Sequence, residues 1–312
     1  MDGEAGVAGE AGVIRDHGAP DVLFDLGLDL GEGPSWDAAS GRLSFVDILA
    51  GHVYVANTGR VVDVLEVGAH VGAALPATGG GYLVARRDGF VRLGGDGTVE
   101  PLALPLRDQP ELRFNDGKCD PTGRAWAGTM PYGPGPGRGV LYRLAGSEAA
   151  EVITGVGLSN GLGWSPDSRT MYFIDTAAAH VDAFDFDAAS GTLGARRTLV
   201  DLADAEGSPD GMCVDGEGCL WVALWEGWEV RRYAPDGRQV GAVRMPVSKP
   251  TSCCFAADML VITSAAHGLG HRDVTAQPHA GAVFAIGPGV SGPGATPWVR
   301  TQRAPGLDYF ST

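Results

Sequence analysis

Short apolar runs separated by polar turns recur along the chain. They form a repeated unit of an apolar run, a turn and a second apolar run, as in Trp36–Asp47 and Asn160–Asp175. We call the polar or glycine residues that begin each unit its corner. The runs alternate or stay apolar over a few residues, which is typical of strands rather than helices. The other copies span Gly72–Ala85, Asp116–Gly128, Asp210–Ala223 and Thr251–Thr263.

The spacing of these copies predicts the fold. The corners lie near positions 32, 72, 115, 160, 210 and 251, so successive copies are 40 to 50 residues apart, and further apolar runs fill the second half of each period. A period of this length with four short strands is typical of a propeller blade. We therefore predict an all-β fold, a six-bladed β-propeller with four-stranded blades around a central channel. We expect Asp21–Leu26 to join the last blade and close the ring, which removes exposed sheet edges.

Composition agrees with many strands and turns. The 312 residues include 49 Gly and 20 Pro, scattered among 44% hydrophobic residues, and this excess argues against a helical bundle. No apolar run is long enough to predict a transmembrane helix, and the N-terminus lacks the pattern of a signal peptide. Residues 1–20 are rich in Gly, Ala and Glu and are predicted to form a disordered extension before a single domain at 21–312.

Charge and cysteine content narrow the partners and the compartment. The net charge of −15 argues against nucleic acid and anionic membrane, which favour basic surfaces. The chain has five cysteines, an odd number, and no C-x-x-C pair. This pattern favours buried, reduced thiols in a cytoplasmic protein over a disulfide framework or a zinc ribbon. We expect a small-molecule substrate and a monomer or weak homo-oligomer.

Four corners carry side chains that could share a site. The loop that enters the innermost strand of each propeller blade opens at one mouth of the channel, so Glu32, Asn115, Asn160 and Asp210 are expected to meet there. Asn and Asp before Gly are common turn formers, but their recurrence at equivalent positions, together with a Glu, favours a common site. Carboxylates and amide oxygens suit a hard divalent cation such as Ca²⁺, Mg²⁺ or Mn²⁺.

These corners lie in five ordered motifs by which the chain resembles the SMP-30/gluconolactonase/regucalcin-like family of six-bladed propellers. The resemblance runs from about Leu23 to Val299. The motifs are Gly31-Glu-Gly-Pro-Ser-Trp36, Arg113-Phe-Asn-Asp-Gly-Lys-Cys-Asp-Pro-Thr-Gly-Arg124 with Ala127-Gly-Thr-Met130, Ser159-Asn-Gly-Leu-Gly-Trp-Ser-Pro-Asp167 with Asp175-Thr176, Ser208-Pro-Asp-Gly211 with Leu220-Trp-Val-Ala-Leu-Trp225, and Lys249-Pro-Thr-Ser-Cys253.

The resemblance implies an activity and a set of site residues. It implies metal-dependent hydrolysis of a sugar (aldono-) lactone to the sugar acid. It implies that Glu32, Asn160 and Asp210 bind one divalent ion, with Ca²⁺ foremost and Mg²⁺, Mn²⁺, Zn²⁺ and Fe²⁺ as alternatives. It also implies that Arg113 and Asn115 contact the substrate, with Asn115 close to the metal as well.

The chemistry of ring opening suggests roles within this set. A lactone carbonyl must be polarised and then attacked by water, and Asp210 is the expected general base. Hydroxide on the metal is the alternative attacking species, because a carboxylate that binds a cation is a weak base. The guanidinium of Arg113 suits ring hydroxyls or the product carboxylate. Its alternative role is a surface ion pair with Asp116 or Asp120.

Two segments depart from expected patterns. Some sugar-lactonase relatives carry a substrate-binding Glu a few residues after the Gly-Thr-Met segment. In this chain Pro131–Gly137 holds no carboxylate, and Tyr132 offers a hydroxyl or a ring instead.

Gly157–Gly161 fits the G-x-S-x-G nucleophile pattern around Ser159. That pattern requires a following helix, and the sequence instead predicts a strand, a turn and a strand.

Histidines and tryptophans near the corners could also face the site. His70, His267 and His271 lie close to corners in sequence, although a lone His is more often structural. Trp225 and Trp228 could stack on carbohydrate, although core packing is the more common role of Trp.

Two other functions remain open. One is a metal-dependent hydrolase of non-sugar lactones or phosphotriesters at the same site, which an apolar mouth would favour. The other is a non-catalytic calcium-binding or interaction propeller. The presence of Arg113 beside the expected ligands argues against the second, because a purely structural ion needs no Arg next to it.

Overall fold

The computed structural model describes residues 14–57, 59–133 and 137–300. Most of the predicted N-terminal extension (1–13), the centre of the Gly/Pro loop (134–136) and the last twelve residues of the predicted domain lie outside the described residues. The described chain forms six sheets, each with four antiparallel strands and one with a fifth strand at its edge. The predicted all-β, six-bladed propeller is confirmed.

The strands follow one another blade by blade, after two strands that join later blades. These two are β1 (Arg15–Asp16) and β2 (Asp21–Phe24). Blade 1 contains β3 (Gly31–Asp37), β4 (Arg42–Asp47), β5 (His52–Ala56) and β6 (Val61–Glu66). Blade 2 contains β7 (Val71–Pro76), β8 (Tyr82–Arg86), β9 (Gly89–Leu93) and β10 (Val99–Ala103). Blade 3 contains β11 (Leu112–Cys119), β12 (Ala125–Pro131), β13 (Gly139–Ala145) and β14 (Glu148–Val156).

The second half of the chain repeats the arrangement. Blade 4 contains β15 (Ser159–Trp164), β16 (Thr170–Asp175), β17 (His180–Asp187) and β18 (Thr192–Asp201). Blade 5 contains β19 (Ser208–Val214), β20 (Leu220–Trp225), β21 (Glu229–Tyr233) and β22 (Gln239–Arg244). Blade 6 contains β23 (Pro250–Ala256), β24 (Met259–Ser264) and β25 (Val283–Ile286).

The N-terminal strands complete two blades. β2 pairs with β25, so blade 6 takes its outer strand from the start of the chain and the ring closes as predicted. β1 lies in the segment predicted to be disordered, and it pairs in parallel with β22 at the outer edge of blade 5. Residues 15–16 therefore add a fifth strand to that blade.

The inner strands form a closed ring around the channel. Each one contacts the inner strands of both neighbouring blades, in the order β3, β7, β11, β15, β19, β23 and back to β3. Between the blades, buried aromatic and aliphatic side chains such as Trp126, Phe114 and Trp221 make the core. Burying this apolar surface is the main favourable contribution to folding.

The described ranges contain two short helical segments. A 3₁₀ turn spans Thr176–Ala178, and α1 spans His271–Ala276. Neither segment was predicted from the sequence. Among the described residues, no helix is long and apolar enough to cross a membrane. The five cysteines are free and buried, as predicted.

Candidate active site

A register irregularity interrupts the start of every inner strand. It falls between residues 32 and 35, 71 and 73, 114 and 117, 159 and 162, 209 and 212, and 250 and 252. Bulges of this kind re-aim side chains and are common next to active sites. The six predicted corners lie at these six irregularities, so one local distortion turns the corner residues toward the same mouth of the channel.

The corners do not all contribute polar side chains to this mouth. In blade 2 the corner is Gly72, where an added Cβ would lie 2.5 Å from the backbone oxygen of Asn115. In blade 6 it is Thr251, whose hydroxyl donates to the backbone oxygen of Gly31 at 2.5 Å and joins blade 6 to blade 1. The remaining corners carry the four predicted residues Glu32, Asn115, Asn160 and Asp210, all of them buried.

A chain of hydrogen bonds connects three of the predicted site residues. Nη1 of Arg113 donates to Oδ1 of Asn115 at 2.7 Å, and Nδ2 of Asn115 donates to Oδ1 of Asn160 at 3.0 Å. Arg113 also donates to the backbone oxygen of Phe114 at 3.0 Å. The structure therefore brings the predicted substrate-binding pair and a predicted metal ligand into direct contact.

The amide of Asn160 is held from its other side by Thr176. Nδ2 of Asn160 donates to Oγ1 of Thr176 at 2.8 Å, and this hydroxyl donates to the backbone oxygen of Pro209 at 2.7 Å. Because Nδ2 is used in this way, Oδ1 is the atom that Asn160 presents to Asn115 and to the channel. Thr176 occurs in one of the sequence motifs, but its positioning contact across two blades was not predicted.

Arg113 is buried at the base of the mouth rather than on the surface. Its residue exposure is 6%, and it forms no ion pair with Asp116 or Asp120 within the described part of the chain. Asp120 instead accepts hydrogen bonds from Arg124 and the indole of Trp126. The alternative of a surface Arg paired with one of these carboxylates was wrong.

Three buried carboxylates lie close enough to affect one another. Burial raises the pKa of Glu32 to about 8, and the charge of Asp116 adds to the shift. Burial also raises the pKa of Asp210, with the charges of Glu32 and Asp116 adding to it and Arg113 opposing it. Burial raises the pKa of Asp116, which Lys118 opposes. The site thus concentrates negative charge that a bound cation would neutralise.

Asp116 was not predicted to belong to this carboxylate group. In a regular strand, Asn115 and Asp116 would face opposite sides. The irregularity in β11 removes this alternation, so both side chains are buried and both act on the site. The only available signal was the run of Asn, Asp and Gly at a corner position.

The other sequence candidates lie on the same side of the propeller or prove structural. His70 precedes β7, and its Nδ1 lies 2.8 Å from the hydroxyl of Tyr132, which follows β12. His267 pairs with Asp29 at 3.2 Å, and His271 begins α1. Ser159 has no following helix, because β15 begins at this residue and runs to Trp164.

The aromatic side of the mouth belongs to blade 5. Trp225 ends β20, and Nζ of Lys249 lies 4.6 Å from a ring centroid of this indole. Lys249 also donates to the backbone oxygen of His267 at 2.8 Å, so the cation is held between blades 5 and 6. Trp228 is 46% exposed. Two tryptophans of blade 5 therefore lie at the end of the strands that carries the corners.

Comparisons with known proteins identify the family. A model of the SMP-30/Gluconolactonase/LRE-like region matches residues 30–266. The chain belongs to this family. Regucalcin of Xenopus laevis is 40% identical over 277 residues, which cover 84% of this chain and 92% of that protein.

Two similar solved structures superpose well on the chain. A calcium-binding protein, regucalcin, from Agrobacterium tumefaciens has a TM-score of 0.87 at 29% identity, with 92% of this chain and 99% of that chain covered. A luciferin-regenerating enzyme has a TM-score of 0.83 at 28% identity, with 90% of this chain and 100% of that chain covered.

One of these similar proteins is described as calcium-binding, and the donors present in this chain fit a divalent cation. Glu32 and Asp210 supply two buried carboxylates and Asn160 an amide oxygen, which is the donor chemistry of hard cations. Within the ranges that the structure describes, no three His, Cys, Asp or Glu side chains form a metal-holding group. The site therefore depends on the amide as well as the carboxylates. These roles stay predictions.

The channel continues beyond the corners into a cavity of about 570 Å³. It is lined by residues that follow the corners on the inner strands, among them Lys118 and Cys213, and by Ser291–Thr296. This last segment accepts a bond from Gly216 of blade 5 and donates one to Trp36 of blade 1, so it crosses the opposite end of the channel. The cavity and the candidate site occupy successive sections of one channel.

Proposed function

We propose that this chain is a metal-dependent lactonase that opens the ester ring of a sugar lactone to the sugar acid. The observation that carries the proposal is the grouping of buried Glu32, Asn160 and Asp210 with Arg113 and Asn115 at one mouth of a propeller of this family. The family description, which includes gluconolactonase, supports the same activity. The chain's small-molecule partner would be the lactone.

Glu32, Asn160 and Asp210 would hold the divalent cation. Calcium is foremost, because all three donors are oxygens and because the related Agrobacterium tumefaciens protein is described as calcium-binding. When bound, the cation supplies Lewis-acid polarisation of the lactone carbonyl. The raised pKa of Glu32, about 8, supports a cation here, because the buried negative charges are otherwise poorly compensated.

Asp210 would handle the proton of the attacking water. Its carboxylate lies at the corner of blade 5 beside Glu32, and it is buried. A carboxylate that takes a proton from water during attack acts as a general base. After ring opening the same carboxyl group can return the proton to the alkoxide that leaves the ester.

Arg113 would bind the substrate through donors that the protein does not use. Nη1 donates to the backbone oxygen of Phe114 and to Asn115, and over the described chain this guanidinium has no other hydrogen-bond acceptor. Burial lowers the pKa of Arg113, but the group stays protonated at neutral pH. Its free donors can therefore bind ring hydroxyls or the carboxylate of the product.

The five free, buried cysteines fit a reducing, cytoplasmic location. We include this location in the proposal.

The decisive test is hydrolysis of five- and six-carbon aldonolactones, followed by the fall in pH with and without a chelator. We expect Asp210→Asn to lower kcat/KM more than about 100-fold, because both a ligand charge and a base are lost. Asp236→Asn is the matched control, since Asp236 is 67% exposed in a distant turn. Full metal-dependent activity of Asp210→Asn would contradict the mechanism.

The same assay separates the other functions. Turnover of apolar lactones or phosphotriesters without turnover of any aldonolactone would favour a different hydrolase at this site. Calcium binding with no turnover of any of these compounds would favour a binding propeller.

A further inference from the structure

Blades 2 and 3 place four polar side chains on one side of the mouth, which we call the basic rim: His70, Arg87, Arg113 and Tyr132. His70 lies in the loop that enters β7, and Arg87 lies in the turn between β8 and β9. Tyr132 follows β12, directly beside the start of β11 where Arg113 lies. All four positions are at the end of the strands that carries the corners.

Contacts join these residues into one surface. The hydroxyl of Tyr132 and Nδ1 of His70 are 2.8 Å apart, and their ring centroids are 5.6 Å apart. The backbone N–H of Arg87 donates to the carbonyl oxygen of His70 at 2.8 Å. Cζ of Arg113 lies 6.0 Å from the ring centroid of Tyr132. Burial lowers the pKa of His70, and the charges of Arg113 and Arg87 lower it further, so both cations lie close to this imidazole.

The positive charge of the basic rim is not balanced by the protein. Asp88 follows Arg87 in the sequence, but its carboxylate accepts two hydrogen bonds from Arg86, of 2.8 and 2.9 Å. Among the residues that the structure describes, neither Arg87 nor Arg113 forms an ion pair.

The charge deeper in the site does not remove this excess. Glu32 and Asp210 would be neutralised by the divalent cation of the proposed function, and Asp116 is opposed by Lys118. Blades 2 and 3 then place two guanidinium groups close to His70 and to the hydroxyl of Tyr132 at this mouth. Guanidinium groups bind carboxylate and phosphate in a planar, two-point manner.

We propose that the basic rim binds a second acidic group on the substrate, so that this enzyme acts on lactones that carry a carboxylate or a phosphate ester outside the ring. The inference rests on the proposed lactonase function and names its substrate class. Tyr132 fits this role, because its hydroxyl can hydrogen-bond to an anion, whereas a carboxylate in its place would repel one. The residue is 46% exposed, so its ring and hydroxyl are accessible from the mouth.

The test compares three lactones with the same ring: a neutral one, one with a carboxylate at the terminal carbon, and one with a phosphate ester there. We expect the wild-type kcat/KM to be at least about tenfold higher for one acidic lactone than for the neutral one. The carboxylate and phosphate arms show which acid is recognised. Equal kcat/KM values for all three lactones would overturn the proposal.

Variants of the basic rim test whether it causes the preference for acidic lactones. Arg87→Gln should lower the acidic-to-neutral ratio of kcat/KM about tenfold, chiefly through KM. Arg60→Gln is the control, since Arg60 is exposed at the opposite end of blade 1. Tyr132→Glu should reverse the preference, and Tyr132→Phe, which loses only the hydroxyl, should lower it less than Arg87→Gln does. An unchanged ratio in Arg87→Gln and Tyr132→Glu contradicts the role of the rim.

A binding measurement separates this inference from the proposed function. Calorimetry on the calcium-loaded protein compares a sugar diacid with the corresponding monoacid. Tighter binding of the diacid that Arg87→Gln removes supports the basic rim even if no lactone is hydrolysed, an outcome that would contradict only the lactonase function. Hydrolysis of neutral lactones with equal binding of both acids would contradict only the rim.

Discussion

Asn115 of blade 3 donates a hydrogen bond from Nδ2 to Oδ1 of Asn160 of blade 4, with 3.0 Å between the two atoms. The same amide group donates to the backbone oxygen of Ser159 at 2.9 Å and accepts from Arg113 at 2.7 Å. One side chain therefore fixes the predicted substrate-binding guanidinium relative to the predicted metal ligand. It also joins two blades at the mouth of the channel, where neither blade alone could form the site.

Replacing Asn115 by Ala tests this joint role. The substitution leaves buried groups of Arg113, Asn160 and Ser159 without their partner, and unpaired buried groups cost about 1–3 kcal/mol each. We expect the free energy of unfolding to fall by an amount of this order and kcat/KM for a lactone to fall about 100-fold, because misplaced catalytic groups are costly. Denaturant unfolding and the hydrolysis assay measure the two effects.

Asn115→Asp serves as the matched variant. It keeps an acceptor for Arg113 but removes the donor to Asn160 and Ser159. Its loss of interblade stability should therefore resemble that of Asn115→Ala, while its KM should change less. An Asn115→Ala protein with wild-type stability and KM would show that the contact has no such role.

Gly211 determines how closely the inner strands of blades 5 and 6 approach. A Cβ at this position would lie 2.1 Å from Oγ and 2.4 Å from Cβ of Ser252 on β23. Gly211→Ala should lower the free energy of unfolding by about 1–3 kcal/mol through overpacking. It should also lower activity, because the adjacent Asp210 must shift with the backbone.

Gly95→Ala is the control for this change. Gly95 lies in an open turn, where an added Cβ meets nothing within 4 Å. Thermal unfolding of the two variants gives the comparison directly. If Gly211→Ala and Gly95→Ala unfold at the same temperature, the close approach of the strands does not limit stability.

The repeat could be predicted from the sequence because every blade uses the same local geometry. Corners 40 to 50 residues apart, such as Glu32 and Asn160, meet because each begins an inner strand. The closing of the ring by Asp21–Phe24 followed from the same count, since blade 6 lacked one strand. Period and strand pattern were sufficient for these features.

Contacts that depend on departures from regular geometry could not be predicted. Asp116 joins the site because the irregularity in β11 removes the alternation of side chains. The direction of a side chain in such a bulge cannot be predicted from the sequence pattern. Thr176 acts across two blades through the 3₁₀ turn that it begins. The pairing of His70 with Tyr132 depends on the relative height of two loops, which the repeat period does not determine.

The cysteines should be unreactive in the folded protein. Burial raises the pKa of Cys254 to about 12 and raises that of Cys119 and Cys213 as well. Because the thiolate is the reactive form, we expect these thiols to resist alkylation near pH 8 and to react once the protein is unfolded in denaturant. Counting labelled thiols by mass spectrometry measures this. Rapid labelling of Cys254 in the native protein would contradict its burial.

The buried carboxylates make the stability of the metal-free protein depend on pH with a definite sign. Glu32 has an ordinary pKa of 4.5, and burial raises it to about 8 in the folded protein, while burial and the charge of Glu32 raise that of Asp210. Between pH 4.5 and about pH 8, the folded state therefore binds more protons than the unfolded chain. The contribution of these two carboxyl groups to the free energy of unfolding is therefore fully present below pH 4.5 and is lost as the pH rises through about 8.

Chelator-treated protein should accordingly unfold at a lower denaturant concentration at about pH 8.5 than at about pH 6. Glu32→Gln, which cannot titrate at this position, should show a shallower dependence on pH. Saturating Ca²⁺ should remove most of the loss at high pH in the wild type, because the cation compensates the ionised carboxylates, and should do less for Glu32→Gln. If wild type and Glu32→Gln lose stability equally across this range, the titrating group lies elsewhere in the protein.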